Sequence, residues 1–81
     1  MRVHVLYFAS FRDAAGRDRE LRDLPEGSSV ADLWASLQRE IPDFQAFTHM
    51  PPPAVNREHV DTSRRLADGD EVTFLPPVAG G

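Results

Sequence analysis

An α+β fold, with one main helix packed across one face of a mixed sheet of four to five strands, is the architecture this sequence predicts. Three observations lead there. The chain opens and nearly closes on short β-branched and aromatic runs, residues 3–8 and 71–75, that alternate with period two. Between them lies a single strongly helical segment, about residues 30–40, whose apolar positions fall on one stripe. One helix can cover only one face of such a sheet, which leaves the other to solvent or a partner. The 81 residues are expected to form one domain, 1–81, whose last stretch, 76–81, is an extended tail.

The first strand, V-H-V-L-Y-F at residues 3–8, sends Val3, Val5 and Tyr7 to one face and His4, Leu6 and Phe8 to the other. S-F-R-D-A-A-G then forms a short helical turn or loop closed by Gly16, and residues 17–24 resume as a second strand. Its charges suit a sheet edge, where they discourage stray pairing. After the Pro25-Glu26-Gly27 turn, Ser29 stands three residues before Asp32, the spacing of a capping box. Val30, Leu33, Trp34, Leu37 and Ile41 follow at helical intervals until Pro42 ends the run. Trp34 is therefore expected in the core and not against a ligand.

Residues 42–53 carry four prolines and no sustained period, so they are expected to form an irregular loop anchored by Phe44 and Phe47. A-V-N at 54–56 reads as a third strand. A-D-G-D then supplies the turn that introduces E-V-T-F-L, with Val72 and Phe74 facing inward and Glu71, Thr73 and Leu75 outward. His4, Leu6, Phe8 and Leu75 should then share the open face. If the last strand lies beside the first, Phe8 and Leu75 contribute to an exposed apolar patch next to the tail, and such patches mark interfaces.

Composition removes several classes of function. No cysteine is present, so the chain forms no disulfide and supplies no thiol. All nine side-chain cations are arginine, dispersed among thirteen carboxylates, and the net charge is −4. Nucleic acid is not an expected partner, because phosphate binding needs clustered positive charge. No apolar run is long enough for a membrane span or a secretion signal, and the expectation is a cytoplasmic protein with no membrane partner. His4, His49 and His59 are scattered, no serine lies in a nucleophile motif, and Gly16, Gly27 and Gly69 are isolated turn residues. No metal, no stably bound cofactor and no independent active site are expected.

The tail P-P-V-A-G-G is the chemically distinctive feature. Pro76 and Pro77 lack backbone N–H groups and fix φ, so they stop the sheet ladder and hold the chain extended. Val78 and Ala79 lead to Gly80 and Gly81, whose lack of a Cβ lets the backbone enter a slot too narrow for side chains. The carboxylate of Gly81 can attack an activated phosphate and become an acyl adenylate, given ATP and a partner's cationic groups. The chain has no lysine to accept an acyl group.

The segment L-A-D-G-D-E-V-T-F-L-P-P-V-A-G-G, residues 66–81, resembles the carboxyl-terminal signature of the molybdopterin synthase small-subunit family of ubiquitin-like sulfur carriers. V-L-Y-F-A-S-F-R-D-A-A-G is similar to that family's first strand and following segment, and A-V-N to its middle strand; the loop at 42–53 matches least. The resemblance implies a β-grasp fold and a cycle. An E1-like adenylyltransferase uses ATP to adenylate Gly81, a sulfur donor system converts the adenylate to a thiocarboxylate, and the loaded tail enters the large synthase subunit. There sulfur passes to cyclic pyranopterin monophosphate. The resemblance also implies a heterotetramer of two small and two large subunits, with Phe8, Leu6 and Leu75 as the contact surface and Pro76 to Gly80 as the inserting stem.

Three other readings stand beside it. A sibling carrier for thiamin thiazole synthesis shares the tail logic, although the Pro-Pro pair weighs against it. A relative could use Gly81 for tRNA thiolation or for conjugation to protein amines. A β-grasp interaction module would bind through the open face and carry an inert tail.

Overall fold

The computed structural model describes residues 1–75, so the tail residues Pro76, Pro77, Val78, Ala79, Gly80 and Gly81 lie outside the described part. Within it the elements run β1 (Arg2–Leu6), α1 (Ala9–Ala15), β2 (Arg19–Asp23), α2 (Val30–Glu40), a 3₁₀ helix (Pro42–Ala46), β3 (Pro53–Val55), β4 (Glu58–His59) and β5 (Glu71–Phe74). The sheet order is β2-β1-β5-β3-β4. β1 and β5 are parallel and the other pairs antiparallel, which gives the mixed sheet and β-grasp arrangement expected from the sequence.

The helix α2 forms where its cap and its stripe agree. Ser29 Oγ accepts from the Asp32 amide while the Asp32 carboxylate accepts from the Ser29 amide, a complete capping box. That hydrogen bond from the Ser29 backbone is the main reason the Asp32 carboxyl is held below its ordinary pKa. Val30, Leu33, Trp34 and Leu37 are buried, and they meet Val3 and Val5 of β1, Val72 and Phe74 of β5 and Val55 of β3 in one core. Trp34 lies 5.0 Å, ring centre to ring centre, from Phe74 and 5.6 Å from Phe44. Its place is structural.

Four boundaries differ from the sequence reading. The first strand stops at Leu6 instead of reaching Phe8. The Tyr7 amide still donates to the Asp18 carbonyl at 2.7 Å, but Ala9 at φ 48° swings the chain into α1. The second strand is shorter than residues 17–24, because α1 first ends on Gly16 in the left-handed region and residues 17 and 18 complete the reversal. Residues 42–46 wind into a 3₁₀ helix that starts on a proline, which suits a position needing no N–H donor, and Phe44 at its centre is fully buried. β4 fills the room left by an expectation of four to five strands, although its position was not assigned; it is two residues long and is joined to β3 by a two-residue turn in which Asn56 and Arg57 both have positive φ, 52° and 71°.

A polar network stitches β2 to α2 along one edge of the core. The Tyr7 hydroxyl donates to the Glu20 carboxylate, and Arg22 reaches Glu20, Ser36 and Glu40 in turn. Burial and the bond to Glu20 push the Tyr7 phenol far above its ordinary pKa. The Ser36 hydroxyl and then Arg22 hold Glu40 below the usual carboxylate range.

Candidate functional site

The site is built on the last strand of the sheet. β5 occupies the middle of the five, flanked by β1 and β3, and its Val72 and Phe74 are almost wholly buried. The tail is thus rooted in the best-anchored strand. Immediately after it, the Leu75 amide donates to the Pro52 carbonyl at 2.9 Å, which extends the β3–β5 pairing one step past the described strand.

The approach to β5 is fixed just as firmly. Gly69 takes φ 86°, a conformation that favours glycine, and its amide donates to the Arg2 carbonyl. Asp70 is buried; its carboxylate accepts from the Ala67 amide at 2.8 Å and from Asn56 Nδ2 at 3.0 Å. Asp68 accepts from the Arg2 amide. The D-G-D carboxylates therefore close a turn. Among the described residues no group of three histidine, aspartate or glutamate side chains could hold a metal ion, and no described helix is long and apolar enough to cross a membrane.

Of the residues singled out for partner contact on the open sheet face, Leu6 alone lies within a strand. Register places Leu6 beside Thr73, and His4 between Leu21 and Glu71. Phe8 remains extended although it has left β1; it caps α1 without a side-chain hydrogen bond and is 50% exposed. Leu6 and Leu75 are half-buried. Leu6 and Phe8 line one shallow depression together with Arg12, Asp18 and Arg19, whereas Leu75 lines a different one. The structure thus gives two apolar features near the root of the tail where sequence parity suggested one patch.

Leu21, 52% exposed, is a further apolar residue on that face that the sequence reading did not assign. It is the lone apolar residue of the charged run R-E-L-R-D, and the alternation of that run carried the signal. Its face became definite only with the pairing of Leu21 to His4.

The described part ends at Leu75, directly after the buried strand β5.

Comparison with known proteins places these features in context. Residues 5–81 match the family described as the ThiS family. A molybdopterin synthase sulfur carrier subunit of Mycobacterium tuberculosis is 38% identical over 82 residues, covering 100% of this chain and 99% of the relative. Small archaeal modifier protein 3 of Haloferax volcanii is 32% identical over 92 residues, covering both chains completely. Among solved structures, a Pyrococcus furiosus chain assigned by inference as subunit 1 of a molybdopterin converting factor superposes with a TM-score of 0.86 at 36% identity, over 96% of this chain and 99% of that one. A protein–protein complex of subunits 1 and 2 of the molybdopterin-converting factor from Helicobacter pylori contains a chain that superposes with a TM-score of 0.73 at 26% identity, over 100% of both.

Proposed function

The chain belongs to the ThiS family, and from that membership we propose that it is the sulfur carrier subunit of molybdopterin synthase. The observation that carries this reading is that molybdopterin synthase sulfur carrier subunits of other organisms match the chain over its whole length, at 38% identity in Mycobacterium tuberculosis and 35% in Chlamydomonas reinhardtii, while the family match runs to residue 81. The whole-length relatives bearing that name in other organisms support the same branch.

In this reading the reacting group is the α-carboxylate of Gly81. Its oxygen attacks the α-phosphorus of ATP in an E1-like adenylyltransferase and pyrophosphate leaves; a sulfur nucleophile from a donor system then displaces AMP to give the thiocarboxylate. The loaded tail enters the large synthase subunit, which holds the catalytic groups, and sulfur passes to cyclic pyranopterin monophosphate. The carrier contributes the stem: Pro76 and Pro77 stiffen it, and Val78, Ala79 and Gly80 thread the slot. Leu6, Phe8 and Leu75 form the contact with the large subunit, in a heterotetramer within the cytoplasm. ATP is bound by the activating partner and not by this chain.

Reconstitution tests the proposal. The chain, its adenylyltransferase, ATP, a sulfur donor and the large subunit should together convert the pyranopterin to its dithiolene product, and deleting Gly81 should abolish conversion while the domain stays folded. Undiminished product from the deleted form would refute it. The match to a small archaeal modifier protein favours one second reading, conjugation of Gly81 to protein amines. Isopeptide-linked targets in place of a co-purifying large subunit would establish that alternative.

A further inference from the structure

Beside the root of the tail, the stretch that follows the 3₁₀ helix leaves a groove of about 390 Å³. Its walls are Phe11 of α1, Phe47 and Met50, Pro51 and Pro52 at the approach to β3, and Leu75. The floor is firm, since Phe11 and Phe47 pack with ring centres 4.7 Å apart. The 2.9 Å bond from the Leu75 amide to the Pro52 carbonyl ties the far wall to the base of the tail. No arginine, aspartate or glutamate is among the residues that line it, and its one ionisable side chain, His49, is exposed.

We propose that this groove receives an apolar side chain (leucine, methionine or an aromatic) projected by the large subunit that takes the tail. The inference rests on the carrier reading above and adds a second anchor point, in a depression that shares no lining residue with the one at Leu6 and Phe8. Chain length carries the argument. Six residues follow Leu75 in the sequence, and a chain spans at most about 3.3 to 3.6 Å per residue, so the reacting carboxylate can lie no further than roughly 20 Å from the groove wall. A pocket that encloses the glycine pair therefore brings its rim close to Leu75. An ordinary interface covers about 800 Å² of each partner, a disc roughly 16 Å in radius. A disc of that size centred on the root of the tail includes the groove. Because Phe11, Phe47, Met50, Pro51, Pro52 and Leu75 make the walls apolar and the one ionisable residue of the lining, His49, is exposed, the complementary group is an apolar side chain; a charged one would lose its water against walls that offer few polar partners.

The test uses substitutions at the rim that leave the core untouched. Ser10 and Thr48 line the groove and are exposed, so Ser10→Arg and Thr48→Arg place a long cationic side chain across its mouth. Calorimetric titration with the large subunit measures affinity, and thermal melting checks the fold. Both variants should melt as the original does and bind at least tenfold more weakly, while Met50→Leu, which keeps the wall apolar, should bind normally. If the unaltered chain binds and both arginine variants bind equally well, the groove lies outside the interface, whether it stays empty, holds the tail or takes a small molecule. That result overturns the groove proposal and leaves the carrier reading intact. If the unaltered chain does not bind the large subunit at all, the carrier reading fails and the groove proposal fails with it.

Discussion

The amide of Leu75 donates a 2.9 Å hydrogen bond to the carbonyl of Pro52. Among the described residues it is the last backbone bond of β5 to its neighbours, and the next two residues, Pro76 and Pro77, have no amide hydrogen to offer. Leu75→Pro removes it while the buried Val72 and Phe74 still hold β5. We expect a loss of stability of about 0.5 to 1.5 kcal/mol, the usual net value of one hydrogen bond. Partner affinity should fall by more than that, because the direction of the tail is no longer set. Denaturant unfolding and calorimetric titration on the same variant separate the two effects.

Phe8→Asp should separate binding from folding in the opposite sense. Phe8 is half exposed and caps α1 with no side-chain hydrogen bond, while aspartate is among the best N-cap residues. The isolated domain should melt at the same temperature or higher, by an increment of up to about 1 kcal/mol. Binding to the large subunit should weaken at least tenfold. Unchanged binding by the folded variant would remove Phe8 from the contact surface.

Tyr7 is the protein's single tyrosine, so its ionisation can be followed without interference. Burial first, and its bond to Glu20 second, raise its pKa above the unfolded value of about 10. A group raised in this way contributes its full stabilisation below pH of about 10, and the contribution is lost as pH climbs beyond that value. Tyrosinate absorbance should therefore appear together with loss of helical circular dichroism in an alkaline titration, not before it. Tyr7→Phe should cost about 1.5 to 3 kcal/mol near neutrality, the range for a hydrogen bond to a charged group. Tyrosinate forming in the intact fold near its ordinary pKa would contradict the buried placement.

Arg57 occupies the second position of the two-residue turn between β3 and β4 at φ 71°, where a side chain is strained and glycine is not. Arg57→Gly should relieve about 1 to 2 kcal/mol of that strain and give back part of it through the greater freedom of an unfolded glycine. A net gain of up to about 1 kcal/mol in denaturant unfolding is the expected result. A net loss would mean that the arginine side chain makes a compensating contact.

How much of this was legible in the residues depended on whether local and tertiary signals coincided. The helix α2 was readable to its boundaries, because the Ser29–Asp32 capping box, the stripe from Val30 to Leu37 and the stop at Pro42 agree. Val72 and Phe74 were readable as inward-facing, since strict alternation leaves no other face for them. The end of the first strand was not. Nothing in L-Y-F-A announces that Ala9 adopts a positive φ, and that single residue turns the chain. β4 was hidden because two exposed polar residues, Glu58 and His59, carry no period; pairing with Ala54 and Val55 defines them. Phe8 and Leu75 were assigned to the open face by parity, but that they line separate depressions depends on α1 and on the loop after the 3₁₀ helix, neither of which parity describes.

The proposed role comes down to one atom at Gly81, and fragmentation mass spectrometry of the protein isolated from its source reads it directly. Intact mass is insufficient, because oxidation of Met1 or Met50 adds nearly the same mass as replacing one carboxylate oxygen by sulfur. A population of chains whose terminal fragment is heavier by that replacement, and which reverts on incubation with the large subunit and pyranopterin, is the predicted finding. A terminal fragment that stays a plain carboxylate in cells actively making the cofactor, with any added mass confined to the methionines, would show that this chain does not carry the sulfur.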